Sequence, residues 1–156
     1  MTKSIPDGFH TLTPHITVQD AAKAIEFYKK AFGAQEIARH MTPDGKAVMH
    51  AQVKVGDSLL MLANEFPPMC LSPKSRGGTS VTLHLYVEDA DAAFDRAVKA
   101  GCTIKMPIGD QFWGDRYGAV EDPFGHMWSV ATHKQDLTTE QMAANVKAAF
   151  ANMPKM

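Results

Sequence analysis

Thr13-Pro14-His15-Ile16-Thr17-Val18-Gln19-Asp20-Ala21 recurs 69 residues later as Thr82-Leu83-His84-Leu85-Tyr86-Val87-Glu88-Asp89-Ala90, with Thr, His, Val, Asp and Ala in matching places. Ala24 and Ala93, Gly45 and Gly114, and Gly56 and Gly125 keep the same spacing. Gly33 and Gly101 stand 68 apart, so one residue is lost after the first helix and recovered later. The chain is therefore a duplicated module of about half its length. Its 156 residues suit one domain or two small modules sharing a core.

Both copies read strand, helix, then three more strands. Residues 13–18 and 81–87 are β-rich, with Thr and His at alternate positions. Asp20 and Asp89 follow as N-caps, their carboxylates placed to accept from first-turn N–H groups. The first helix carries Ala21, Ala24, Ile25, Tyr28 and Phe32 on one face, the second Ala90, Ala93, Phe94, Ala97 and Val98. Gly33 and Gly101 end them. The later strands are expected over 35–40, 47–55 and 58–64 in the first copy, and over 103–108, 117–121 and 126–132 in the second. Residues 10–65 make the first module, 66–79 a Pro- and Gly-bearing connection expected to lie over a pocket mouth, and 80–133 the second module. In the tail, 134–156, Thr138 and Gln141 resemble a capping box, and Met142, Val146, Phe150 and Met153 recur at helical spacing. That pattern predicts a packing or dimer-contact helix. The fold class is α+β: two tandem βαβββ modules plus a C-terminal helix.

Sixteen basic and seventeen acidic residues alternate in sign and give a net charge of −1, without the basic stripe that nucleic acid demands. The longest apolar run, 59–63, is far short of the ~20 residues of a membrane span, and no signal-peptide pattern opens the chain. Cys70 and Cys102 make neither a disulfide framework nor a zinc motif, so two reduced thiols in a cytoplasmic protein are expected.

Several motifs point further. They are Val18-Gln19-Asp20-Ala21 leading into Ile25-Glu26-Phe27-Tyr28, Gly56-Asp57-Ser58, and Leu60-Met61-Leu62-Ala63-Asn64-Glu65. In the second copy they are His84-Leu85-Tyr86-Val87-Glu88-Asp89, Trp113-Gly114-Asp115-Arg116 and Asp122-Pro123-Phe124-Gly125-His126-Met127-Trp128. With the doubled module, they resemble the vicinal oxygen chelate superfamily of glyoxalases, bleomycin- and fosfomycin-resistance proteins and extradiol dioxygenases, and most of all its PhnB-like branch. The resemblance spans about residues 10–133 and implies cupped mixed sheets with pockets inside the cups, and frequent dimers.

The superfamily's metal enzymes draw His, Gln or Glu ligands from the first and fourth strands of each module. Matched through the strand ends, those positions fall on Thr13 and Thr82, and on Leu60 and Ser129, counted four residues after Gly56 and Gly125. This set lacks the imidazoles and carboxylates such ions require, so no metal and no cofactor is expected. His15 and His84, two residues beyond the threonines, turn to the same face by strand alternation. Three roles are open to them. They are hydrogen-bonding pocket histidines, ligands of one divalent ion together with Glu65 or His50, or general acid–base groups.

Trp113 and Arg116, with Tyr117 and Phe112 close by, read either as an aromatic pocket wall with an anion-gripping guanidinium or as a solvated turn. His50 reads as solvent-facing or at a dimer edge, and His126 as structural. The pocket candidates are thus Thr13, His15, Leu60, Thr82, His84, Trp113, Arg116 and Ser129. The expectation is a homodimer that binds a small molecule without metal. Its alternatives are a divalent-metal glyoxalase- or dioxygenase-type enzyme using His15 and His84, and a metal-free acid–base enzyme.

Overall fold

In chain order the elements are β1 (His15–Val18), α1 (Ala21–Phe32), β2 (Gln35–Met41), β3 (Val48–Val55), β4 (Ser58–Asn64), α2 (Pro73–Arg76), β5 (Thr82–Tyr86), α3 (Ala90–Ala100), β6 (Thr103–Asp110), β7 (Asp115–Glu121), β8 (Met127–His133) and α4 (Thr139–Ala151). They come from a computed structural model, which describes residues 2–154. The aspartates cap as the repeat requires: Asp20 accepts from the Lys23 N–H at 3.1 Å and Asp89 from the Ala92 N–H at 2.9 Å. Gly33, at φ 67°, closes α1 in the left-handed region that residues with a Cβ avoid.

The strands form two four-stranded mixed sheets, in the orders β1-β4-β3-β2 and β5-β8-β7-β6, with β1 parallel to β4 and β5 parallel to β8. This is the α+β pair of βαβββ modules expected from the repeat. Their last strands align 68 apart rather than 69. Asn64 accepts from the Ala21 N–H and Thr132 from the Ala90 N–H, so the two residues hold the same post at the start of each module's helix. The register therefore sets Met61 beside His15 and Ser129 beside His84.

One core serves both modules. Val18, Ile25, Tyr28, Val53 and Leu62 of the first pack with Val120, Trp128 and Val130 of the second, all at most 1% exposed. Burying a side chain of this size contributes about 1.5–3 kcal/mol. Phe32 stacks on Trp128 with ring centroids 4.2 Å apart. Polar contacts also cross the junction. The Arg96 guanidinium donates to the carbonyls of Lys30 (2.6 Å) and Lys29 (3.0 Å), taking up free acceptors at the end of α1. His126 Nε2 meets the Thr17 carbonyl at 2.9 Å.

Thr13 lies before β1 rather than within it. Pro14 has no N–H to donate, and the Thr13 hydroxyl donates to the His10 carbonyl at 3.0 Å. In the tail, α4 has its full capping box, Thr138 and Gln141 bonding reciprocally, yet none of its residues is buried. The last two residues of the 134–156 segment lie outside the described residues.

Candidate functional site

Strand alternation gives each sheet one face toward the helices and one away. In β5, Leu83 and Leu85 pack toward the core, which leaves Thr82, His84 and Tyr86 on the opposite face. There His84 Nδ1 and the Ser129 hydroxyl share a hydrogen bond of 2.7 Å. The His84 ring stacks on Tyr117 at 5.9 Å and meets Tyr86 edge-on at 4.6 Å. Trp113 meets Tyr117 edge-on at 5.4 Å, and Phe112 does the same to Trp113 at 5.0 Å. A continuous aromatic patch thus covers the free face of the second sheet.

Beneath it sits Asp115, 5% exposed. Its Oδ2 accepts from the Tyr86 hydroxyl (3.1 Å) and from Trp113 Nε1 (3.2 Å), and its Oδ1 pairs with His133 Nδ1 (2.8 Å). Burial opposes the charge on Asp115, but the bonds from His133 and Tyr86 outweigh it and hold the carboxyl below its ordinary range. The sequence leaves the Asp115–Arg116 turn open between a pocket wall and a solvated edge, and it singles out neither Tyr86 nor His133. Tyr86 was in reach, since it alternates with His84.

Of the eight candidates, Thr13, Leu60, Thr82 and His84 line one cleft of about 510 Å³, between β5 and the start of β4. Leu60 contributes little surface, being 5% exposed and part of the core. Ser129 and Trp113 join His84 from the sheet face. Arg116 does not: its guanidinium grips Asp91 through two bonds (2.9 and 2.7 Å) and Asp110 through a third (3.3 Å). It projects from β7 to the side opposite Tyr117.

His15 stands on the other sheet, in a neighbouring cleft of about 480 Å³ bordered by Leu71, Pro73, Arg76 and Gly78 of the connection. Its ring stacks on His50 at 5.8 Å, and His50 in turn on His40 at 6.4 Å. Burial, and then the neighbouring His50, push the His15 pKa below its ordinary value. Glu65 turns elsewhere, accepting from the Ser72 N–H and the Ser75 hydroxyl at the start of α2.

A divalent ion of the chelate type fits these residues poorly. At the paired first- and last-strand positions stand His15 with Met61 and His84 with Ser129, so each imidazole has a thioether or a hydroxyl beside it instead of a second strong ligand. Among the described residues no three His, Cys, Asp or Glu converge as a metal group. Nor is any described helix long and apolar enough to cross a membrane.

A sequence model described as "Glyoxalase/Bleomycin resistance protein/Dioxygenase superfamily" matches residues 8–130. An uncharacterized protein of Mycobacterium bovis is 47% identical over 137 residues, covering 85% of this chain and 90% of that one. Among solved structures, TioX from Micromonospora is similar with a TM-score of 0.64 and 27% identity, over 80% of this chain and 98% of that one. TnmS3, described as an antibiotic binding protein from Streptomyces, matches at 0.60 and 25%, over 85% and 100%.

Proposed function

Because the chain belongs to the glyoxalase/bleomycin resistance protein/dioxygenase superfamily, we propose that it is a metal-independent member that binds a planar aromatic small molecule on the free face of its second sheet. The observation that carries this reading is the patch of His84, Tyr86, Tyr117 and Trp113, with Ser129 bonded to His84 beside it. Flat rings bind such a surface by offset or edge-on stacking, about 0.5–1.5 kcal/mol per aromatic pair beyond simple burial. With its hydroxyl donated to Asp115, Tyr86 keeps its oxygen lone pairs for a donor on the ligand. The likeness to an antibiotic binding protein points the same way.

The chain acts as a homodimer in this reading. Support comes from the apolar surface it leaves open, including Ile37, Met41, Met49, Tyr86, Ile104 and Met106. A second copy covering these faces closes the pocket. Two free thiols, Cys70 and Cys102, fit a reducing cytoplasm.

The test is a titration with 8-anilinonaphthalene-1-sulfonate, followed by a screen of planar aromatic compounds. Tyr117→Ala and His84→Ala are each expected to weaken binding about tenfold, the equivalent of one lost stacking or hydrogen-bonding contact. Arg116→Ala should leave it unchanged. Equal affinity in all three variants would rule out this face as the site.

A further inference from the structure

We infer that Asp115 is the positioning residue of the aromatic face, fixing the Tyr86 and Trp113 walls and transmitting their setting through His133 to the C-terminal arm. The inference rests on the reading of that face as the binding surface and adds to it the part of the chain that controls its shape.

A carboxylate this buried is costly unless every oxygen is bonded, and apolar side chains of the same volume often fill such a place with no loss of stability. What an apolar side chain would not supply is direction. Tyr86 comes from β5, Trp113 from the loop before β7, and His133 from the end of β8, and all three converge on one carboxylate. An indole has a single donor, so the bond from Trp113 Nε1 sets the rotation of its ring. The same bond holds that ring edge-on to Tyr117.

The arm grips the same loop from the other side. His133 Nε2 meets Asp136 at 3.0 Å, the Lys134 and Gln135 N–H groups donate to the Gly114 carbonyl at 3.0 and 3.1 Å, and Asn145 of α4 donates to the Phe112 carbonyl at 2.9 Å. Gly114 has φ 96°, and a Cβ there would fall 2.6 Å from the Gln135 carbonyl oxygen, so arm and loop run in direct contact. α4 buries no residue fully, and Asn145 ties it to the same loop. Releasing the arm frees the Trp113 loop, and disturbing Asp115 frees the arm.

The chain's two tryptophans make the test direct. Labelled with 5-fluorotryptophan, the full-length protein gives two ¹⁹F resonances, which Trp113→Phe assigns. Trp128, 1% exposed in the core, serves as the internal control for folding. Asp115→Asn is expected to shift and broaden the Trp113 line and leave the Trp128 line in place. His133→Ala should do the same and raise the rate of tryptic cleavage at Lys147 several-fold. An unchanged Trp113 line in Asp115→Asn, or arm cleavage in His133→Ala without any change at Trp113, would overturn the inference. If Asp115→Asn loses the Trp128 line, His133→Ala decides alone, because that side chain is half exposed. Added 8-anilinonaphthalene-1-sulfonate should protect Lys147 in the wild type and not in Asp115→Asn. No binding of this probe to the wild type would count against the binding surface, while the ¹⁹F lines would still decide the role of Asp115.

Discussion

The Tyr28 hydroxyl donates to Asp122 Oδ2 at 2.8 Å, across 94 residues of sequence, and so fastens the helix of one module to the last turn of the other. The same oxygen accepts from Trp128 Nε1, and Oδ1 accepts from the N–H groups of Phe124 and His126, each at 2.9 Å. Removing one donor and removing the shared acceptor should differ sharply. Tyr28→Phe takes away one bond of four and should cost about 1 kcal/mol. Asp122→Ala strands the donors in the core and should cost at least about 3 kcal/mol. Urea unfolding of both variants measures this, and similar costs would mean the carboxylate is not the hub.

The donor sets predict indifference to chelators. A resident ion held only by the folded state would stabilise by mass action, and its removal would lower the melting temperature. With His15 beside Met61 and His84 beside Ser129, EDTA should leave the melt in place, and added Ni, Zn, Mn or Fe(II) should not raise it. Near-stoichiometric metal in tag-free protein, with a melt that falls on chelation, would restore the metal-enzyme alternative.

Two histidines should pull the stability–pH curve in opposite directions. Burial, and then His50, lower the His15 pKa from 6.5. The folded state therefore resists its protonation, and the stabilisation present above pH 6.5 is lost as pH falls through the lower folded value. His133 is the reverse case. Bonds to Asp136 and then Asp115 raise its pKa from 6.5, so its stabilisation is complete below 6.5 and is lost as pH rises through the folded value. Melting temperatures between about pH 5 and 8.5 should show His15→Gln flattening the acid limb and His133→Gln the neutral-to-alkaline limb. The His133 effect should fade in high salt, as exposed pairs do. Parallel curves for all three proteins would contradict this.

The repeat made the module order readable because each copy carries its own local signals, Asp20 and Asp89 as caps and Gly33 and Gly101 as stops. Register was harder. The first module turns tightly between Val55 and Ser58, whereas the second uses a wider turn between Glu121 and Met127. Counting from the turn glycine therefore reaches Leu60 in one copy and Ser129 in the other, although the residue beside His15 is Met61. One residue of slip moves a strand side chain to the opposite face, which is why Leu60 lies in the core. The Asp115 cluster left no trace in the repeat. It joins the ends of β5, β7 and β8 to an arm with no counterpart in the first module, and contacts of that span have no sequence period.

The closeness of α3 to its sheet supplies a last prediction. Gly118 of β7 has an ordinary negative φ, so its value lies in its missing side chain. A Cβ there would stand 2.7 and 2.8 Å from the Phe94 ring and 3.1 Å from the Ile108 Cα. Phe94 is 6% exposed and belongs to the shared core. Gly118→Ala must displace either the ring or the backbone, and overpacking of this kind costs about 1–3 kcal/mol. Phe94→Leu alone should also destabilise, because it leaves the ring's place underfilled. In the double variant the smaller side chain makes room for the new methyl. The combined loss should therefore fall short of the sum of the single losses by at least about 0.5 kcal/mol, the scale of coupling between touching residues. Strict additivity in denaturant unfolding would show that the strand accommodates the methyl without involving Phe94.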